Sequence, residues 1–115
     1  MKFKYNPRRS KVILSAWQVW LTYVKFEGNV GGKKRPVLVT GVKGDSCSIM
    51  EITSQIPEYI TDVPITDLIS AGLDKESAIQ TRKRRTIQRD SLIDCMGILS
   101  VEDRYSVKRA SELFS

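Results

Sequence analysis

The chain has 115 residues, 41% of them hydrophobic, which suits one small domain with a buried core. Its formal net charge is +6, and it contains two cysteines and no histidine. That composition excludes Ser-His and Cys-His nucleophilic systems and leaves too few ligands for a zinc site. No apolar run reaches the roughly 18 residues of a membrane-spanning helix.

Residues 1–11 read as a basic N-terminal extension carrying Lys2, Lys4, Arg8, Arg9 and Lys11, ahead of a single domain over 12–115. No apolar h-region or small-residue cleavage site follows the first cations, so a cytoplasmic location is expected. Residues 12–26 are β-branched and aromatic, with apolar side chains on both parities. That pattern predicts a strand covered on both faces. A loop rich in glycine and lysine follows over 27–34. A second strand is expected over 37–40 with Pro36 at its mouth, then a turn over 41–45 and a third strand over 46–54. The three strands form an antiparallel meander.

A short helix is predicted within 64–73, with Thr66 as N-cap and Gly72 as the glycine that ends it. Residues 77–87 read as a strand loaded with cations, and 91–99 as a further short strand interrupted at Gly97. Ser100-Val101-Glu102-Asp103 resembles a capping box that opens a final helix to about Phe114. Tyr105, Val107, Ala110, Leu113 and Phe114 form its apolar stripe. Cys47 and Cys95 each lie among apolar residues and are expected to be buried thiols. The fold class is mainly β: a small, strongly curved antiparallel sheet or barrel with a short helix and a C-terminal helix.

The charge is segregated. Cations cluster in the N-terminal extension, at Lys33-Lys34-Arg35 and at Arg82-Lys83-Arg84-Arg85 with Arg89, whereas the 45–76 stretch holds seven acids against one base, Lys75. One cationic surface and a polyanionic partner follow, with a solvated, solubilising surface as the competing reading.

Three groups of residues are candidates for chemistry on a phosphate. Arg35, held extended by Pro36, stands at a strand mouth where a guanidinium can fork onto a phosphate, or pair with an acid of the 45–76 stretch. Thr53 and Ser54 end the third strand with hydroxyls on opposite faces. One can serve a site while the other caps the turn, or the pair is an ordinary strand end. Gln80, Arg82 and Arg84 share a polar strand parity, suited to a groove that tracks a phosphate backbone or to a solvated hairpin tip. Trp17, Trp20, Tyr23 and Phe26 read as core, although Trp17 and Trp20 differ in parity.

The order Arg35-Pro36-Val37-Leu38-Val39, Ile52-Thr53-Ser54, Ala71-Gly72-Leu73-Asp74, Arg85-Thr86-Ile87, Met96-Gly97-Ile98-Leu99 resembles the PemK/MazF (Kid/CcdB-like) toxins of bacterial type II toxin–antitoxin systems, over about residues 17–112. The resemblance implies an SH3-like barrel with a C-terminal helix, usually a homodimer. It implies a sequence-specific endoribonuclease that cuts single-stranded mRNA without a metal or other cofactor, and an antitoxin whose acidic tail occupies the RNA groove. Arg35 then matches the residue that stabilises the phosphate in the transition state. Thr53 matches the hydroxyl that hydrogen-bonds the scissile phosphate, with Ser54 beside it. Lys33, Lys34, Gln80, Arg82 and Arg84 become RNA-binding residues. The implied reaction is attack by the RNA 2′-hydroxyl on the adjacent phosphorus.

Two departures stand out. Where several members carry an Arg and an acid two residues later, this chain has Gln80 and Arg82; Glu51, two residues before Thr53 on the same parity, and Glu27 are candidate substitutes for the missing acid that the family motif does not itself mark. Trp17 occupies the position of the usual glycine before the first strand. The lost acid keeps a second reading open, a non-cleaving nucleic-acid-binding barrel. A gyrase-directed toxin fits less well, because the terminal Ser111-Glu112-Leu113-Phe114-Ser115 lacks the Trp-Gly-Ile-like tail of that type.

Overall fold

The computed structural model describes residues 12–25, 31–55 and 59–114. The basic N-terminal extension, most of the loop after the first strand and Glu27 therefore lie outside the described residues. Six antiparallel strands form one sheet: β1 (Gln18–Lys25), β2 (Gly32–Lys43), β3 (Ser46–Thr53), β4 (Asp62–Pro64), β5 (Ala78–Gln88) and β6 (Leu92–Ile98). Helix α1 (Leu68–Ala71) follows β4, a 3-10 turn (Arg89–Ser91) joins β5 to β6, and helix α2 (Val101–Phe114) ends the chain. The strand order is β4-β5-β3-β2-β1-β6. The sheet is thus mainly β as expected but open, because β4 and β6 occupy its edges and do not pair with each other. Of the two expected forms, a sheet or a barrel, the pairing gives the open sheet.

Strand alternation sorts the core into two clusters. Val19, Leu38, Met50, Ile52 and Ile79 face the helices, where Ala71, Leu99, Val107 and Ala110 meet them. Trp20, Val37, Val39, Ile49, Leu92 and the two cysteines face the other way and are covered in part by Val12 and Leu14. β1 therefore buries both parities, as its composition requires. Cys47 and Cys95 are free and buried; burial pushes the Cys47 thiol above its ordinary range, against a smaller opposing pull from Arg89.

Several local expectations are corrected. β2 runs twelve residues, far beyond 37–40, because it lies between β1 and β3 and its backbone pairs on both edges. Its polar start, Lys33-Lys34-Arg35, looks like loop but is ladder. Gly41 is inside the strand beside a bulge at Thr40, so the turn shrinks to Gly44 and Asp45. β4 has no counterpart among the predicted elements. The N-cap of α1 is Asp67, whose Oδ1 accepts from the Ser70 N–H at 3.0 Å, and not Thr66. Tyr105 is exposed, so the buried stripe of α2 runs through Asp103, Val107 and Ala110.

Thr66 is diverted by Asp103. This carboxylate is 1% exposed and sits in the first turn of α2, where Ser100 Oγ accepts from its N–H at 3.1 Å. Its oxygens accept from the Thr66 N–H at 3.0 and 3.1 Å, the Thr66 hydroxyl at 2.8 Å and the Asp67 N–H at 3.0 Å. Burial alone pushes the carboxyl up. The N–H groups of Asp67 and Thr66 and the hydroxyls of Thr66 and Ser100 outweigh that and hold it below the usual carboxylate range. The start of α2 is thereby bound to the start of α1.

The end of α1 is set by two glycines. Gly72 has φ 77°, left-handed, and its N–H donates to Ile69 and Leu68 carbonyls, which ends the helix. A Cβ there would overlap the Met96 backbone, and a Cβ at Gly97 would overlap the Ser70 and Ala71 backbone. Gly97 does not interrupt β6; it lets α1 lie against it. Trp17 explains the third glycine position, since its φ of 76° is one that costs a residue with a Cβ about 1–2 kcal/mol. Its N–H donates to Val39 O at 2.7 Å and its carbonyl accepts from Leu99 N–H at 2.8 Å, which fixes the conformation.

Two stability experiments follow. Asp103→Asn removes the charge and an acceptor oxygen, and should lower the unfolding free energy by about 2–3 kcal/mol in urea melts at neutral pH. The folded carboxyl ionises below its unfolded value of about 3.9, so its contribution is complete above that value and fades as pH falls through the folded one. The gap between wild type and Asp103→Asn should narrow only below about pH 4. Gly97→Ala forces α1 off β6 and should cost about 1–3 kcal/mol, seen as a melting point several degrees lower.

Candidate nucleic-acid interface

The ends of β2 and β3 and the loop after α1 enclose a cleft of about 200 Å³. Its walls include Lys33, Lys34, Arg35 and Pro36 from β2, Ile52 and Ser54 from the end of β3, and Leu73, Asp74, Lys75 and Ser77 from the α1–β5 connection. Four cations face one acid there. A neighbouring cleft of about 370 Å³, lined by Gln55, Pro64, Ile65 and Glu76, shares Ser54 and Ser77 with it. The Gly72 turn delivers Leu73–Lys75 to this position, because it presses α1 onto Met96, itself a cleft residue.

Arg35 is half-buried, and its guanidinium has no ion-pair or hydrogen-bond partner among the described residues. The expected alternative, pairing with an acid of the 45–76 stretch, is not what the fold does with it. Arg35 stands opposite Thr22 on β1, and the residue two along, Val37, stands opposite both Trp20 and Glu51. Arg35 therefore shares the face of Val37, Glu51 and, by continuation of the register, Thr53.

Thr53 and Ser54 divide the two roles open to them. Thr53 is buried, and its Oγ1 accepts from the Gln55 N–H at 3.1 Å, the strand-end turn that its position suggests. That bond uses an oxygen lone pair and leaves the hydroxyl hydrogen to donate. Ser54 is exposed and lines the cleft on the helix side.

The cations of β5 are not held together as the sequence parity suggested. Gln80 stands opposite Glu51 and Arg84 opposite Met50, so Thr81, Arg82 and Lys83 are extra residues between two neighbouring rungs. The bulge puts Gln80 and Arg84 on opposite faces. Arg84 Nε donates to Thr81 O at 3.1 Å, which closes the bulge. Arg82 lies over the Tyr59 ring at 4.0 Å from its centroid. Gln80 stays on the Arg35 face, between Glu51 and Asp62.

Glu51 is ion-paired: Arg85 Nε lies 2.8 Å from its Oε2. Sequence parity places Glu51 beside Thr53, but the Arg85 partner depends on the bulge and has no sequence signal. Lys75, Ser77 and Tyr59 were likewise missed as neighbours of the site; only Lys75, the lone base of the acidic stretch, stood out. Among the described residues no group of three or more His, Cys, Asp or Glu could hold a metal ion.

Comparison with known proteins places this geometry. The chain resembles MazF from Deinococcus radiodurans in one crystal form, with 18% identity, 91% of this chain and 100% of that chain covered, and a TM-score of 0.68. It resembles the Mycobacterium tuberculosis toxin MazF-mt6 at 20% identity, covering 79% and 90% of the two chains with a TM-score of 0.62. A mycobacterial endoribonuclease in complex with its cognate antitoxin matches at 14% identity, 85% and 90% coverage and a TM-score of 0.66. At these identities the likeness is one of fold. No curated protein matches in sequence. A family profile described as PemK-like, MazF-like toxin of type II toxin–antitoxin systems matches residues 15–114. With nearly its whole length in that match, the chain belongs to the family of PemK-like, MazF-like toxins.

Proposed function

We propose that this protein is an endoribonuclease toxin that cuts single-stranded RNA at specific sequences, without a metal, and is neutralised by an antitoxin with an acidic tail. The carrying observation is Arg35: a half-buried guanidinium with no partner among the described residues, on the sheet face of Thr53 and beside a cleft rimmed by Lys33, Lys34 and Lys75. Leaving a cation half-desolvated and unpaired is unfavourable unless an anion completes it. Family membership supports reading that anion as RNA, as do the endoribonuclease names of structural neighbours and the antitoxin bound to one of them.

In the proposed reaction the 2′-oxygen of one nucleotide attacks the adjacent phosphorus, and the bond to the 5′-oxygen breaks. The products are a 2′,3′-cyclic phosphate and a 5′-hydroxyl. DNA lacks the nucleophile and is bound without being cut. Arg35 takes up the charge that grows on the phosphoryl oxygens. Thr53 donates its free hydroxyl hydrogen to the scissile phosphate while Gln55 holds its oxygen. Ser54, Lys33 and Lys34 carry the chain along the cleft, with Gln80, Arg82 and Arg84 as further contacts. The acidic antitoxin tail would compete for those cations, and the toxin would act as a homodimer in the cytoplasm.

Incubation with a long single-stranded transcript in excess chelator should give discrete fragments ending in cyclic phosphate. Arg35→Ala should slow cleavage by about 10²–10³-fold. Thr53→Val, which removes the bond to the charged phosphate and the Gln55 turn bond, should slow it by about 10–10²-fold. Intact RNA at high protein concentration, the same for wild type and Arg35→Ala, would rule the reading out.

The second reading, a barrel-like binder that does not cleave, is favoured by one observation. Arg82 stands where an acid is expected and is engaged with Tyr59. Both readings predict salt-dependent affinity with a log–log slope of about −0.7 per phosphate contacted on single strands. They separate on strand scission.

A further inference from the structure

We infer that Glu51 is the general base of this site, taking the proton of the attacking 2′-hydroxyl, with Arg85 as the positioning residue that holds its carboxylate. The inference rests on the ribonuclease reading above.

The placement comes from the sheet register. Glu51 lies two residues before Thr53 on β3, so the two side chains leave the same face about 7 Å apart. Glu51 stands directly opposite Val37, which lies two residues after Arg35 on β2. Arg35, Val37, Glu51 and Thr53 are thus the corners of one small patch. Two corners are the phosphate-binding residues, and one is apolar. The fourth is a carboxylate that a phosphate held between Arg35 and Thr53 brings within reach of the neighbouring ribose.

The chemistry narrows the choice. The chain has no histidine, so proton acceptance on this face falls to a carboxylate. Asp62 lies one strand further out beyond Gln80, and its Oδ2 accepts from the Tyr59 N–H at 3.4 Å. Asp103 is committed to Thr66 and Asp67. Asp74 lines the same cleft as Arg35, but it is exposed and comes from the loop after α1, not from the face that carries Thr53. Among the described carboxylates, Glu51 is the one on the β2–β3 ladder with Arg35 and Thr53.

Arg85 is half in water, at 52% exposure against 14% for Glu51. An ion pair with one partner so exposed adds little to stability. It does fix Oε2 and keep the carboxylate aimed. The step balances without a co-reactant. The O2′–H proton moves to Glu51 as the O2′–P bond forms and the P–O5′ bond breaks. The leaving 5′-oxygen takes a proton from water, and Glu51 returns its own to water.

The test is single-turnover cleavage of a long single-stranded transcript between about pH 5 and 9, with binding measured on single-stranded DNA of the same sequence. Wild type should show an acidic limb, slowing as the base is protonated. Glu51→Gln should cleave about 10²–10⁴-fold more slowly and lose that limb while binding the DNA as wild type does. Glu51→Asp should cleave slowly but keep the limb, which guards against a mere folding defect. Arg85→Gln, which frees the carboxylate held at 2.8 Å, should slow cleavage several-fold with DNA affinity little changed, and Arg85→Lys should recover part of that rate. Glu51→Gln with wild-type rate and limb would overturn the inference, as would loss of the limb in Asp74→Asn instead. If wild type itself leaves the RNA intact, the ribonuclease reading fails and not this assignment alone.

Discussion

The structure depends on one buried carboxylate. Asp103 gathers Thr66 and Asp67 to the first turn of α2, and Ser100 caps the same turn. α1 is only four residues long and could not hold its own place by helical stability. Its N-terminal end is fixed by Asp103 and its C-terminal end by the Gly72–Met96 and Gly97–Ser70 approaches. With both ends set, the chain leaving α1 must pass the open ends of β2 and β3. Leu73, Asp74 and Lys75 become a wall of the cleft for that reason. A hydrogen-bond cluster remote from Arg35 thus shapes the surface where Arg35 stands.

The strand ends serve two faces at once. Alternation sends Arg35, Glu51 and Thr53 to one side of the sheet and Lys34, Ile52 and Ser54 to the other. In the proposed function a single-stranded polyanion crossing the end of the sheet would meet both sets, the first suited to chemistry at one phosphate and the second to contacts along the backbone. The adjacent hydroxyls of Thr53 and Ser54 are the join between them. Thr53 Oγ1 accepts from the Gln55 N–H, whereas Ser54, at the cleft, has no side-chain partner among the described residues.

Much of this was legible in the residues, and the gaps have physical causes. β-branched and aromatic density showed β1, the Ser100 cap showed α2, and the glycine after Ala71 showed the end of α1. The extent of β2 was hidden because Lys33-Lys34-Arg35 is held in the strand by its pairing with Thr22–Val24 of β1, so local composition says loop where tertiary pairing says strand. Thr66 and Asp67 are both good caps, and only the arrival of Asp103 from thirty-six residues away decides between them. The bulge at Thr81–Lys83 carries no glycine or proline to announce it, yet it breaks the shared parity of Gln80 and Arg84 and brings Arg85 to Glu51. Gly97 was visible as an anomaly, but its cause, the backbone of α1, lies in another element.

Charge in the sequence and charge available to a partner turn out to differ. The densest basic run, 82–85, is the one most engaged within the fold: Arg82 on Tyr59, Arg84 on the Thr81 carbonyl, Arg85 on Glu51. Arg89 and Arg104 likewise donate to the Gly44 and Leu99 carbonyls. The shorter run Lys33-Lys34-Arg35 has no such ties among the described residues, and the α1 loop adds Lys75 to it. A guanidinium bound to a carbonyl or a ring keeps its charge but loses donors and freedom of approach, whereas an unpartnered one offers its full fork. The strongest demand for an anion therefore falls at the β2 mouth, where the sequence shows three cations, and not at the β5 tip, where it shows four.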